Sequence, residues 1–330
     1  MKTSRMCLAT VALLALGVLV PVVVTSNSMV SLFTQALINA VFAVGVGLLL
    51  KQNGMVSFGH ALYFGGAGYV IGILVQTKAM PAEVAILGSL AVMTVLAFLI
   101  GLIVVRVPGI AFGMLTLAIG QMAYLTANRA RGMTGGADGM NIDWPATLFG
   151  IPQSVLFKPQ AMFILSWSTL VVVLFLLALL LQSRFGSITE SVRDNEERAR
   201  FIGISTVLPR AAVYALSALV AGIAGVLSAI NTGFISPELL HWSLSGMVMM
   251  MVVIGGFKVL WGPPLGAVVY FLFKDVLGDH ATHWMSIFGM VLIAVIVFSP
   301  TGIAGALQRL ARRRGGRALA VSPVAVEARP

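Results

Sequence analysis

The chain has 330 residues, 59% of them hydrophobic and only 10% charged, with a mean hydropathy of +1.00. A soluble domain carries about 25% charged residues, so this composition excludes a soluble globule. The net charge of +10 lies between apolar runs, without a basic face or interleaved aromatics, and this pattern excludes a nucleic-acid binder.

Apolar runs near 20 residues recur along the whole length. They are continuous rather than alternating every second residue, and in lipid each segment must satisfy its own backbone, so they predict helices and not a barrel. The expected fold class is therefore all-α, a polytopic membrane protein with about ten transmembrane helices. The runs lie at roughly 7–25, 29–50, 56–76, 81–105, 109–127, 160–182, 210–230, 242–257, 262–277 and 284–300. At 1.5 Å per residue about 20 residues cross a 30 Å core. The eighth and ninth are short, which leaves open a broken or re-entrant helix buried in protein.

The first run follows Lys2 and Arg5 and admits two readings, a retained span or a cleaved signal peptide. Its length, long for a signal core, favours the retained span. The single cysteine, Cys7, has no partner for an internal disulfide and is a poor basis for a metal site, so it reads as a packing residue. In the third run Ser57, Phe58, Gly59 and His60 open a span containing Gly65, Gly66 and Gly68. Glycine-rich half-helices leave carbonyls and amides available to a solute. His60 reads either as an interfacial residue bonded to a carbonyl or as a pathway residue. Thr116 and Gln121 are polar residues in the fifth run, and bonding to a neighbouring helix is their commoner role, with pore lining as the alternative. The loop at 128–159 carries TGGADG, which lacks the G-x-x-x-x-G-K-[ST] spacing of a phosphate loop. Gly135, Gly136 and Gly139 read as turn formers.

Residues 183–210, SRFGSITESVRDNEERARFIGISTVLPR, hold 9 of the 32 Asp, Glu, Lys and Arg residues of the chain. With the N-terminus inside, 16 of the 21 lysines and arginines fall on the inner side; only Lys78, Arg129, Arg131, Lys158 and Lys274 fall outside. That bias places both termini and the charged segment in the cytoplasm. Ser187 and Glu190 form a capping box that predicts a helix from about 188 to 202. Ile188, Val192, Asn195, Ala199 and Ile202 form one stripe along it. Asp194 with Arg198, and Glu196 with Arg200, stand four apart in the favourable order. Gly203 suits the left-handed position that ends a helix, and Pro209 the first turn of the next. A helix lying on headgroups favours basic residues with few acids. This one carries four acids, so a protein partner fits better than an anionic surface. Residues 307–330 read as a basic disordered tail held near anionic headgroups. The chain up to 306 reads as a single membrane domain without a nucleotide-binding module.

Several segments resemble one family. RDNEERARFIGI at 193–204 is similar to the cytoplasmic coupling loop of permeases in ABC importers, and more closely to that of LivM-type permeases of branched-chain amino-acid importers. Further matches are NGMVSFGHALYFGGAGY at 53–69, GIAFGMLTLAIGQ at 109–121, TGGADGM at 134–140, GFISPELL at 233–240 and GGFKVLWGPPLGA at 255–267. Together they stand in one order, spread along residues 50–300. One departure is that Lys258 and Val259 stand where the family's glycine-rich turn ends in Gly and Thr or Ser. The resemblance implies the ABC importer permease fold. It assigns Arg193, Asn195, Glu196, Glu197, Arg198, Ala199, Gly203 and Ile204 to coupling with an ATPase. Ser57, Phe58, Gly59, His60, Thr116 and Gln121 become candidates for the translocation pathway, and Asp138 and Glu238 for docking a periplasmic binding protein. It further implies a second homologous permease subunit, two cytoplasmic ATP-binding subunits and a place in the bacterial inner membrane. The chain would hold no cofactor of its own, ATP being bound by the partner subunits, and no metal. Branched-chain amino acids are the expected solutes, with urea or short-chain amides as the alternative. A self-contained ion-coupled transporter is the rival from another class; it would need acids at mid-membrane, and nearly every acid lies outside the runs. No catalytic constellation is present, so an enzyme is not expected.

Overall fold

A computed structural model describes residues 2–23, 26–77, 80–107, 109–278, 283–299 and 301–315. Lys78 and the part of the basic tail beyond 315 lie outside the described residues. The helices run in chain order as α1 (Lys2–Val23), α2 (Asn27–Asn53), α3 (Ala61–Gln76), α4 (Ala82–Val104), α5 (Ile110–Arg129), α6 (Arg131–Thr134), α7 (Gln153–Leu156), α8 (Pro159–Leu181), α9 (Arg184–Asp194), α10 (Glu196–Phe201), α11 (Val207–Thr232), α12 (Trp242–Gly255), α13 (Gly262–Gly278), α14 (Trp284–Phe298) and α15 (Gly302–Gly315). Four two-residue strands accompany them: β1 (Met140–Asn141), β2 (Thr147–Leu148), β3 (Ile151–Pro152) and β4 (Phe234–Ile235). Each of the ten apolar runs becomes a helix. Among the described residues five of these, α2, α4, α5, α8 and α11, are long and apolar enough by themselves to cross a membrane.

The core is the pair α2 and α11, whose most apolar stretches are 78% buried, against 28% for α4, α5 and α8. These two helices pack on each other; α3 and α4 lie against α11, α8 and α13 against α2, and α12 against both α13 and α2. The α2–α11 contact is close because Gly45 faces the Ser217 carbonyl, where a Cβ would come within 2.8 Å. Gly225 does the same on the other side of α11, where a Cβ would overlap the Phe64 carbonyl of α3. Small residues let backbones approach in a medium that supplies no hydrophobic drive between helices.

The structure departs from the sequence expectations at several places. The third run does not begin as a helix at 56. Gly54 ends α2 with φ +67, residues 54–59 are not helical, and α3 starts at Ala61. The helix expected over 188–202 is two helices broken at Asn195, whose backbone is extended (φ −156, ψ 100). The capping box at Ser187 does not form, because α9 begins earlier, with Ser183 at its N-cap. Asn195 caps α10 instead, its Oδ1 accepting from the Arg198 amide at 2.9 Å. An asparagine side chain that can take a backbone amide competes with continued helix. The expected stripe splits accordingly: Val192 and Ala199 are buried, whereas Ile188 and Ile202 are exposed. Asp194 pairs with its neighbour Arg193 at 2.6 Å rather than with Arg198; the Glu196–Arg200 pair is present at 2.6 Å. The tail, expected to be disordered from 307, is helical through 315 as part of α15. Cys7, expected to pack, is exposed.

The loop at 128–159 is ordered by short elements. β1 pairs antiparallel with β4, and β2 with β3 as a hairpin. Gly135, Gly136 and Gly139 all have positive φ, as their reading as turn formers requires.

Candidate functional site

Three regions hold the candidate residues. The first is the charged segment between α8 and α11. α9 is fastened to the end of α2: Thr189 Oγ1 donates to Gln52 Oε1 at 2.9 Å, and the Arg193 guanidinium donates to the Lys51 carbonyl. α10 is fastened to α11. Glu196 Oε1 accepts from Arg200 at 2.6 Å and from Thr206 Oγ1 at 3.0 Å, while Oε2 accepts from Arg210 at 2.7 Å. Burial opposes ionisation of Glu196, but the hydrogen bonds from Arg210 and Thr206, and the charges of Arg210 and Arg200, outweigh it and hold the carboxyl below its ordinary value. Gly203 (φ +83) closes α10, with its amide on the Arg200 carbonyl and the Ile204 amide on the Ala199 carbonyl. What remains outward is a mixed surface. Asn195, Glu197 and Arg198 are exposed, and beside them Phe201 is 90% and Ile202 70% exposed.

The second region is the non-helical segment 54–60, which holds the pathway candidates Ser57, Phe58, Gly59 and His60. Ser57, Gly59 and His60 are buried and Phe58 is half-buried. His60 Nδ1 lies 2.8 Å from Ser57 Oγ, and Nε2 lies 2.7 Å from Ser217 Oγ on α11. Ser217 spends its only proton on the Gly45 carbonyl of α2, at 2.7 Å. Its oxygen must therefore accept from His60, which assigns the neutral Nε2–H tautomer; Ser57 then donates to Nδ1. His60 thus bonds to two serine hydroxyls rather than to a carbonyl, and joins the 54–60 segment to α11 and through it to α2. Its ring meets those of Tyr63 and Tyr214 edge-on, at 5.8 and 5.4 Å, and Tyr63 donates to the Tyr214 hydroxyl at 3.1 Å. The same segment is held to α12, where Ser245 Oγ accepts from the Ala61 amide at 2.8 Å. Thr116 Oγ1 on α5 accepts from the Phe58 amide at 3.3 Å, and Gly59 lies against the Thr116 carbonyl. Gln121 stands apart from these bonds, and its Oε1 is buried without a hydrogen-bond partner. Beside the segment, Val56, Phe58, Gly109, Gly113 and Met114 line an open apolar hollow of about 450 Å³.

The third region brings together two segments that the sequence keeps about a hundred residues apart. The β1–β4 pairing sets TGGADGM against GFISPELL, with Met140 opposite Ile235. Asp138 and Glu238 are exposed at the ends of these segments. Among the described residues no group of three or more His, Cys, Asp and Glu is placed to hold a metal.

Sequence reasoning missed Arg210, Tyr63, Tyr214, Ser217 and Ser245 as partners. A signal was present on α11: Arg210, Tyr214 and Ser217 recur at spacings of four and three, a polar stripe on one face of an otherwise apolar helix.

Residues 28–300 match the family described as "Branched-chain amino acid transport system / permease component". The chain is 24% identical to the high-affinity branched-chain amino acid transport system permease protein LivM of Salmonella typhimurium, over 96% of this chain and 79% of that one. It is also 24% identical to LivM of Escherichia coli, over 92% and 76% of the two chains. The autoinducer 2 import system permease protein LsrC of Salmonella typhi is 28% identical, over 91% and 85%. No solved structure matches the chain.

Proposed function

The chain belongs to the branched-chain amino acid transport system / permease component family, and we propose that it is a membrane-spanning subunit of an ATP-driven importer for branched-chain amino acids. It sits in a bacterial inner membrane with ten spans and both termini in the cytoplasm, and residues up to 306 form the membrane domain. The positive-inside distribution of lysine and arginine supports that orientation. Its partners are a second, similar permease, two cytoplasmic ATPases that bind the ATP, and a periplasmic binding protein. ATP-driven closure of the ATPases displaces α10, and the membrane domain switches by alternating access.

The observation that carries this reading is the surface of α10. Phe201 and Ile202 stand exposed among Glu197, Arg198 and Arg200, outside the apolar runs. Lipid headgroups do not attract the acids and water does not favour the aromatic ring, whereas a protein groove accommodates both. On the outer side, Asp138 and Glu238 on the joined β1–β4 segments offer carboxylates to a binding protein. The solute follows the family description and the LivM relatives. A pathway for a zwitterion with an apolar side chain needs few charges, and the spans carry few.

Co-expression with the neighbouring genes, extraction in mild detergent and mass spectrometry of what co-purifies tests this. Recovery of an ATPase pair and a second permease, with hydrolysis raised by a leucine-loaded binding protein, is expected. Stimulation by urea or acetamide instead of leucine would move the solute class. A chain that purifies alone and moves solute on an ion gradient without ATP would overturn the proposal.

A further inference from the structure

α4 and α8 present most of their surface outward: the most apolar stretch of each is only 28% buried. α4 packs on α11 and α8 on α2, and the two do not pack closely on one another. A cleft is left between them, with α11 as its floor. At its outer end the cleft deepens into a cavity of about 320 Å³. Leu90 of α4, Leu165 and Thr169 of α8 and Leu227 of α11 line it, and Phe149 of the β2–β3 hairpin and Leu156 of α7 close it at that end. The hairpin is held there against local strain. Among the described residues Phe149 is the only non-glycine with positive φ, at +51, a conformation that a bulky side chain rarely adopts. Its amide donates to Glu83 Oε1 at 3.0 Å, which ties the hairpin to the first turn of α4. Phe149 lines the cavity yet stays 60% exposed. Strain of this kind persists where the surroundings impose it, and it clusters at ligand sites.

The lining decides what chemistry fits. Its one side-chain hydroxyl, Thr169 Oγ1, donates to the Leu165 carbonyl at 2.8 Å, so no hydroxyl proton is left for a ligand. A zwitterionic solute would have both charges unmet, and an apolar cavity stays free of water. A neighbouring helix is about 10–12 Å across and does not fit beneath the hairpin. A single hydrocarbon chain does, and both walls of the cleft face the bilayer. Farther in, the same three helices leave a second, more open hollow of about 350 Å³, lined by Phe98, Leu180 and Leu216, which continues the cleft. At the outer end Lys158 stands two residues past Leu156, exposed at the N-cap of α8. Among the described residues it makes no ion pair. At headgroup level a phosphate is the complementary charge.

We propose that the α4–α8 cleft binds one phospholipid of the outer leaflet, with an acyl chain beneath the β2–β3 hairpin and the phosphate at Lys158. The leaflet rests on the proposed ten-span orientation; the site itself depends on neither the solute nor the ATPase.

The test takes the full chain, with whatever subunits co-purify, and titrates it with palmitoyl-oleoyl phosphatidylglycerol in mild detergent under native mass spectrometry. One lipid per chain is expected to outlast the collisional activation that strips the rest. Thr169→Trp fills the cavity and weakens that lipid about tenfold or more. Lys158→Gln weakens it about fivefold, the worth of one basic residue near an anionic group, and leaves binding of diacylglycerol, which lacks the phosphate, unchanged. If Thr169→Trp fails to accumulate, Phe149→Trp serves as a reporter: phosphatidylglycerol brominated along its chains quenches the added tryptophan, read as the difference from wild type. Equal retention by wild type and Thr169→Trp, or no quenching of the added tryptophan, overturns the site. Unchanged affinity in Lys158→Gln overturns the headgroup placement. Displacement of the lipid by leucine overturns the proposal by making the cavity a solute site. Loss of the lipid whenever a second permease co-purifies does so by making the cleft a subunit interface. Import on an ion gradient without any ATPase would overturn the functional reading and leave the lipid result standing.

Discussion

Replacing His60 with alanine removes a fully buried ring and two hydrogen bonds in one step. Roughly 60 Å³ of side chain is lost, and at about 24 cal/mol per Å³ of residual cavity that contributes about 1.5 kcal/mol if the site does not collapse. Hydrogen bonds between helices in membranes average about 0.6 kcal/mol and reach about 1.7. The Ser217 hydroxyl keeps its bond to the Gly45 carbonyl and loses only a donor, while Ser57 loses its acceptor. The two bonds together are thus worth about 1–2 kcal/mol, and the substitution should destabilise the protein by about 3 kcal/mol in total. His60→Leu roughly conserves the volume and removes both serine bonds, so it reads mainly the polar part at about 1–2 kcal/mol. Equilibrium unfolding of the purified protein in mixed detergent micelles, followed by circular dichroism, reads both values. A loss below about 1 kcal/mol for His60→Ala would refute the claim that this histidine fastens the 54–60 segment to the α2–α11 core.

Three further outcomes follow from the same packing. Gly225→Ala places a methyl group on the Phe64 carbonyl, a backbone atom that cannot rotate away, and should cost about 1–3 kcal/mol or more; Gly246→Ala meets nothing within 4 Å and should be neutral or slightly stabilising, both by thermal unfolding. Asn195→Ala removes the cap of a six-residue helix at a cost of about 1 kcal/mol and should raise hydrogen exchange across 196–201 without changing that of α9. The third outcome concerns pH. Glu196 has its folded value held below the ordinary carboxylate range. Its contribution is therefore fully present above that range and is lost only as pH falls through the lower folded value. Exchange protection over 196–210, corrected for intrinsic rates, should be unchanged from about pH 7 to 5 and fall below about pH 4. Loosening already at pH 6 would contradict the ion pair.

The membrane class, the ten apolar helices and the charged segment were legible in the order of residues. In lipid a helix must satisfy its backbone within itself, so its existence depends on nothing beyond its own run of side chains. Even the caps that are strictly local, such as Gly54, Gly203 and Gly233 in the left-handed conformation, follow from residue type. Where two local signals compete the sequence misleads. Ser187 and Ser183 both suit an N-cap, as Asn195 does in mid-segment, and the choice falls to whichever leaves Thr189 and Arg193 against the end of α2. The family was legible because six short motifs stand in one order along the chain. What the candidate residues do with one another was not. His60 and Ser217 are 157 positions apart, Met140 and Ile235 nearly a hundred, and Glu196 reaches past its own helix to Arg210. The first of these pairs forms where Gly45 on α2 and Gly225 on α11 let the backbones of α2, α11 and α3 approach closely. Spacing along a helix says which groups share a face, but only packing decides which face meets which.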